Sequence, residues 1–282
     1  MISHAKLGAK ASAFLLNIST LVVLIILIFP LYWLLATSFK PQIDFFIYPP
    51  HLFPHSFTLE HYRTLLKETA FLIWVKNSLL VASVTTAFVV TVASIAAYSL
   101  TRFRYPGRTL IARLVLLIYM FPPILLVIPF YIILVKLQLN DSLISLTFSY
   151  TAYSLPFSIW LLWEYFKTIP VDLEEAARID GATRFQSFFK IVLPLATPGI
   201  IATAIFGFIW AWVEYLYAMV LISSQSNTTL TLGLSHLLAT DVKLRWDLMT
   251  SASVLTTLPV MILFALFQRQ LIMGFTTGAV KE

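Results

Sequence analysis

Charged side chains are so sparse along this chain that the gaps between them mark out its elements. A helix crosses a hydrocarbon core with roughly 20 apolar residues, and six apolar stretches set off by Asp, Glu, Lys and Arg reach that length, the fifth running on past Glu214. They lie between Lys10 and Lys40, Lys76 and Arg102, Arg113 and Lys136, Asp141 and Glu164, Lys190 and Glu214, and Asp247 and Arg269. The pattern predicts six transmembrane helices, over approximately 12–36, 77–101, 110–135, 142–163, 199–222 and 248–268, in one membrane domain covering 1–282. Pro194 and Pro198 place the start of the fifth near Gly199, and Glu214 is the one acid inside it. The fold class expected is an all-α polytopic membrane protein.

Six spans put both termini on one side. Twelve Lys and Arg fall there, from Lys6 and Lys10 through Arg102 to Arg113 and Lys167 to Lys190, ending at Arg269 and Lys281, against seven on the other side. Cytoplasmic loops keep positive charge, so the termini are expected inside. The net charge of +6 is read as this topology signal and not as nucleic-acid binding. Lys6 and Lys10 before an apolar run also fit a signal peptide, but the charge-free run to Phe39 is too long for its apolar core. An uncleaved anchor is expected.

The composition, 59% hydrophobic and 11% charged, lies far from the roughly 25% charge of soluble domains. The lack of cysteine excludes a disulfide framework, a thiol nucleophile and cysteine-ligated metal. No glycine is followed by lysine, so no loop can wrap nucleotide phosphates in the Gly-x-x-x-x-Gly-Lys-Ser/Thr manner. No serine nucleophile elbow is present either. His51 and His55 have helical spacing, but Pro54 between them argues against a shared helix face, and no metal site is expected.

Between the spans, three segments are long. Residues 40–70 read as an irregular stretch followed by a short helix near Leu59–Leu66, and the external loop 223–247 as a polar start followed by strand or short helix. The cytoplasmic loop 164–198 carries the most order. Asp172 with Glu175 forms a helix start, Gly181 a helix end, and Thr183 a second start. Phe185, Phe188, Phe189 and Val192 then recur on one helical face, which Pro194 is expected to terminate. Such a hairpin docks on a partner or lies among lipid headgroups, and amphipathicity alone leaves both open.

The run Glu175-Ala176-Ala177, then Asp180-Gly181, then nine residues to Ile191, with Leu193-Pro194 following, closely resembles the EAA loop of binding-protein-dependent ABC importer permeases. The resemblance spreads over nearly the whole chain, through Phe29-Pro30-Leu31, Ser38-Phe39-Lys40, Asn77-Ser78-Leu79, Ala97-Tyr98-Ser99-Leu100 and Arg102-Phe103. It favours the carbohydrate-uptake, maltose-type branch, and the tail from Gly274 through Gly278 to Lys281 is similar to the end of that branch's second permease. What it implies is the transmembrane domain of a type I ABC importer, importing a disaccharide, oligosaccharide or glycosylated polyol in a bacterial or archaeal cell (inner) membrane. The implied partners are a second permease, two ATPase subunits that hold ATP and Mg, and an extracytoplasmic sugar-binding protein, with no nucleic acid and no cofactor in this chain. Glu175, Ala176, Ala177, Asp180, Gly181, Ile191, Leu193 and Pro194 would dock on the ATPase, and Gly274, Gly278 and Lys281 would reach between the ATPase pair.

Trp212, Glu214, Tyr215, Pro122 and Pro123 are the candidates for the translocation pathway. Aromatic faces suit sugar C–H surfaces, and the prolines interrupt a span whose freed backbone groups need protein or water. The family motif at this point has asparagine where Val213 stands, so Glu214 is read first as a structural acid and second as a pathway group. Most of the seven tryptophans fit an interfacial belt. Rival readings are a glycerol phosphate or polyol importer of the same class, an ion-coupled secondary transporter, and an assembly protein without a pathway.

Overall fold

The structure is a computed structural model that describes residues 2–239 and 245–279, with side chains over 14–237 and 245–271. Its elements are α1 (Ile2–Ser38), α2 (Glu60–Glu68), α3 (Phe71–Arg102), α4 (Arg108–Tyr119), α5 (Pro123–Lys136), α6 (Leu143–Lys167), α7 (Asp172–Ile179), α8 (Arg184–Ser187), α9 (Leu193–Leu195), α10 (Thr197–Val213), α11 (Leu216–Leu221), α12 (Leu230–Ala239) and α13 (Trp246–Ala279). No strand occurs among the described residues. The chain divides into two compact units, one of residues 1–69 with 237–257, the other of residues 70–236 with 258–282.

In the second unit α6 sits at the centre, against α3, α4, α5, α10 and α11. Its position explains its composition. Ser149, Ser154 and Ser158 are buried, and each donates its hydroxyl to the carbonyl four residues back, at 2.7–2.9 Å. A polar helix is tolerated in the interior because these groups are satisfied locally. Among the described residues α1, α3 and the Trp246–Leu271 part of α13 are long and apolar enough to cross a membrane alone, and two bent helix pairs raise that number to five. α6, the remaining expected span, is not among these, its apolar run being diluted by Ser, Thr and Tyr.

Each bend has a local cause. α4 and α5 meet at 97° across Met120–Pro122, where Pro122 adopts extended ψ and Pro123 opens α5. Pro129 stays inside α5. Pro194 does not end its helix: after α8 the chain widens into a π turn over Phe188–Val192 and continues through α9, bending 74° only at Ala196. The Leu193 amide reaches back to the Phe188 carbonyl in that wider turn, so the missing Pro194 amide falls where the regular ladder is already broken. The helix expected over 199–222 is also two, α10 and α11, separated at Glu214 and Tyr215.

Two close approaches fix this packing. A Cβ on Gly199 would overlap the Tyr165 ring on α6, and one on Gly233 would overlap the Trp74 indole on α3. Gly199→Ala and Gly233→Ala are each expected to destabilise the protein by about 1–3 kcal/mol, read as a lowered melting temperature in detergent.

Candidate functional site

The loop 164–198 folds as a compact platform. Three acids, Asp172, Glu174 and Glu175, occupy the first turn of α7, where the helix dipole favours them. Asp172 was expected to cap this helix. It lies instead at its first position, Val171 takes the cap, and no side chain caps. The exit follows the sequence expectation: Gly181 has φ +92°, and the amides of Gly181 and Ala182 bond to the carbonyls of Arg178 and Ala177 at 3.1 and 2.9 Å. Thr183 and Gln186 then form a full capping box at the start of α8.

One buried cluster holds the platform to the end of α3. Glu174 is 6% exposed, and both its carboxylate oxygens are occupied. Arg102 Nε donates to Oε1, and the Tyr98 hydroxyl donates to Oε2 at 2.9 Å. The second arm of Arg102 donates to the Ile169 carbonyl at 2.9 Å, so one guanidinium fixes both the helix and the chain leading into it. The Tyr98 ring packs on Phe188 at 4.7 Å and on Phe103 at 5.8 Å, and Phe188 and Val192 join α3 and α6 in one apolar core.

Because Glu174 points inward, the opposite face of α7 points out. Glu175, Ala176, Asp180 and Gly181 are exposed, Ala177 is half-buried, and Ile179 stands 87% exposed between them. Of the remaining loop candidates, Pro194 is exposed and Ile191 and Leu193 are half-buried on the far side of the π turn. The phenylalanine face splits: Phe188 is core, while Phe185 and Phe189 are open. Gly274 and Gly278 fall where side chains are not described, and Lys281 lies outside the described residues.

At the other end of the same unit, Asp141 gathers the start of the loop after α11. Its Oδ1 accepts the amides of Ser223 and Ser224 and the Ser224 hydroxyl at 2.9–3.0 Å. Asn227 donates to its carbonyl, Asn77 of α3 donates to the carbonyls of Ser226 and Thr228, and Ser78 accepts the Leu230 amide that opens α12. Partial burial pushes the Asp141 carboxyl up, but the converging Ser224 and Ser223 donors outweigh it and hold it below the usual aspartate range.

The pathway candidates separate. Trp212 is 1% exposed and sits in the core, while Tyr215 is open. Glu214 is buried and caps α11, accepting the amides of Tyr217 and Ala218 at 2.8 and 3.3 Å. Pro122 and Pro123 mark the bend after Tyr119, and from Tyr119 a row of half-buried rings continues across α6 to α10. Tyr119 lies 5.0 Å from Phe157 and 5.9 Å from Tyr153, and Tyr153 stacks on Trp210 at 4.7 Å. The sequence reading missed Glu174, Asp141 and, apart from Trp210 as a possible pathway aromatic, this row, whose members are spread over more than 90 residues.

Between α1 and α2 no helix forms over His51–His55, and the two rings nonetheless meet edge to face at 3.9 Å in the irregular stretch. No group of three or more metal-ligating side chains occurs among the described residues.

The chain matches the family described as binding-protein-dependent transport system inner membrane component over residues 89–276. It is 36% identical to the trehalose/maltose transport system permease protein MalG of Thermococcus litoralis, with 95% of this chain and 96% of that protein covered. It is 37% identical to the diacetylchitobiose uptake system permease protein DasC of Streptomyces coelicolor, with 94% and 96% covered. In fold it is similar to a bacterial ABC transporter that imports the acidic polysaccharide alginate, with a TM-score of 0.78 at 21% identity and 94% of this chain and 96% of that chain covered. The chain therefore belongs to the binding-protein-dependent inner membrane components, the membrane-spanning permeases of ABC importers, which work with a substrate-binding protein and leave ATP hydrolysis to a separate subunit.

Proposed function

We propose that this chain is one of two different permease subunits of a sugar importer and that it carries the motion of the ATPase into the membrane through the Arg102–Glu174 joint. The observation that supports the coupling role most directly is the orientation of α7, with its buried acid bonded to α3 and its Glu175-Ala176-Ala177 and Asp180-Gly181 surface turned outward. Ile191, Leu193 and Pro194 support this surface from behind, and the tail residues Gly274, Gly278 and Lys281 extend toward two ATPase subunits that hold ATP and Mg. The sugar assignment rests on relatives named for trehalose, maltose and diacetylchitobiose.

The charge bias favours cytoplasmic termini in a bacterial or archaeal inner membrane, with loop 164–198 inside and loop 223–247 outside toward the binding protein. In this reading ATP favours the closed ATPase pair, the closing pair draws the coupling loops together, and each loop moves α3 and α6 as a body. ATP shifts that equilibrium only as far as it binds the closed arrangement better. The Tyr119, Tyr153, Phe157 and Trp210 row offers ring faces and hydroxyls to sugar, beside the bend at Pro122 and Pro123 and the break at Glu214 and Tyr215; Trp212 supports it from the core.

The test is ATP hydrolysis by the complex reconstituted with both permeases, ATPase and binding protein, screened over mono-, di- and oligosaccharides. Stimulation by a sugar is expected, and its absence with every sugar in a hydrolysis-competent complex would overturn the carbohydrate assignment. Glu175→Ala should lower capture of the ATPase and uptake with the melting temperature nearly unchanged, whereas Gly181→Val, which forces a β-branched residue to φ +92°, should lower both and the melting temperature as well. Glu174→Ala leaves Arg102 unpaired and should cost about 3–5 kcal/mol in stability as well as uptake.

Asp141 gives a pH signature. With its folded pKa depressed, its contribution is full above the unfolded aspartate value of about 3.9 and is lost as pH falls through the lower folded value. The melting temperature of Asp141→Asn should fall below that of the wild type at pH 7, and the two should converge under strong acid.

A further inference from the structure

Beside the Tyr98 and Arg102 cluster the α3 terminus is open and chemically distinctive. An apolar cleft of about 360 Å³ is lined by Ile95, Tyr98, Phe103, Phe185, Phe188 and Phe189, with Arg184 at its rim. A second cleft, of about 540 Å³, shares Ile95, Phe188 and Phe189 with it and runs on along α3 past Ser94 and Thr91 to Val90. From Tyr98 to Val90 the path follows about 12 Å of helix at 1.5 Å per residue. α3 is long and apolar enough to span a bilayer, so the cleft enters the hydrocarbon from the end of a span.

Arg184 lines the cleft, and two further arginines lie close to Phe103 along the chain. Arg184 lies over the Phe103 ring at 5.1 Å, Arg108 donates to its carbonyl at 3.2 Å, and Arg104 follows it in the chain, exposed. Among the described residues no carboxylate lies within ion-pair distance of any of the three. Acyl-sized apolar space beneath unpaired cationic groups matches one kind of molecule, an amphiphile with an anionic head.

We propose that this cleft is a binding site for an anionic phospholipid, its phosphate held by Arg104, Arg108 and Arg184 and one acyl chain laid between α3 and the Phe188–Val192 turn. A water-soluble ATPase subunit cannot fill it as far as Val90, two turns inside the span. The lipid would join the platform to α3 across the ring of Tyr98, whose hydroxyl holds Glu174, adding a second attachment between the same two elements. The inference needs α3 to cross the bilayer and does not depend on which sugar is carried or on which side the termini lie.

The test uses the assembled complex in discs of phosphatidylcholine alone or mixed with phosphatidylglycerol, with a photocrosslinking side chain in place of Phe189. Crosslinking to phosphatidylglycerol is expected, with native mass spectrometry showing its retention over phosphatidylcholine. Arg184→Gln should weaken that retention about fivefold, the effect of one arginine near an anionic surface, and Arg184→Lys should restore most of it. Equal retention of both lipids, no effect of Arg184→Gln, or a crosslink to the ATPase or the second permease would overturn the proposal. Displacement of the lipid by inorganic phosphate alone would also overturn it, since the acyl chain would then contribute nothing. Sugar-stimulated hydrolysis, measured on the same discs, reports separately on the importer reading.

Discussion

An ion pair buried at the end of a membrane helix is costly unless every oxygen and every donor that leaves water finds a partner. Arg102 and Glu174 meet that condition, since the carboxylate takes one bond from the guanidinium and one from Tyr98, while the spare guanidinium arm takes the Ile169 carbonyl. The geometry admits little rotation of α7, because turning the helix would strand a charge in a low dielectric. The exposed surface of α7 follows from this constraint. A short helix of eight residues has no stability of its own, yet here it presents a fixed face.

The same logic governs the interruptions in the long helices. Breaking a helix within a membrane frees backbone groups, and several breaks here supply what they free. Glu214 takes the amides that open α11, Asp141 takes those of Ser223 and Ser224, and the π turn before Pro194 absorbs a missing donor. The bends fall beside the aromatic row and beside the coupling platform. Helix segments joined at such satisfied breaks can change angle without exposing unpaired groups to lipid, which is what an element that opens and closes requires.

Much of this was legible in the sequence because it is local. Charge-free gaps gave the helices, Gly181 gave the left-handed exit and Thr183 gave the second helix start, all settled within a few residues. Glu174 was not legible: its partner lies 72 residues away, and beside Glu175 it looked like one more acid at a helix start. Asp141 marked only the edge of a span until its bonds to Ser223 and Ser224 were seen. Glu214 read as an acid inside one continuous helix because nothing in the surrounding apolar run announces a break, and Pro194 read as a stop because the π turn that accommodates it has no local signal.

The central claim is that α7 and α3 move as one body when the ATPase works. Spin labels at Ile179 and Val84, both exposed, measure the distance between the coupling surface and the middle of α3 by pulsed electron resonance in the nucleotide-free and ATP-trapped complex. The account predicts one narrow distance that is the same in both states. A distance that shifts or broadens on ATP trapping would show the joint yielding during the cycle and would contradict it.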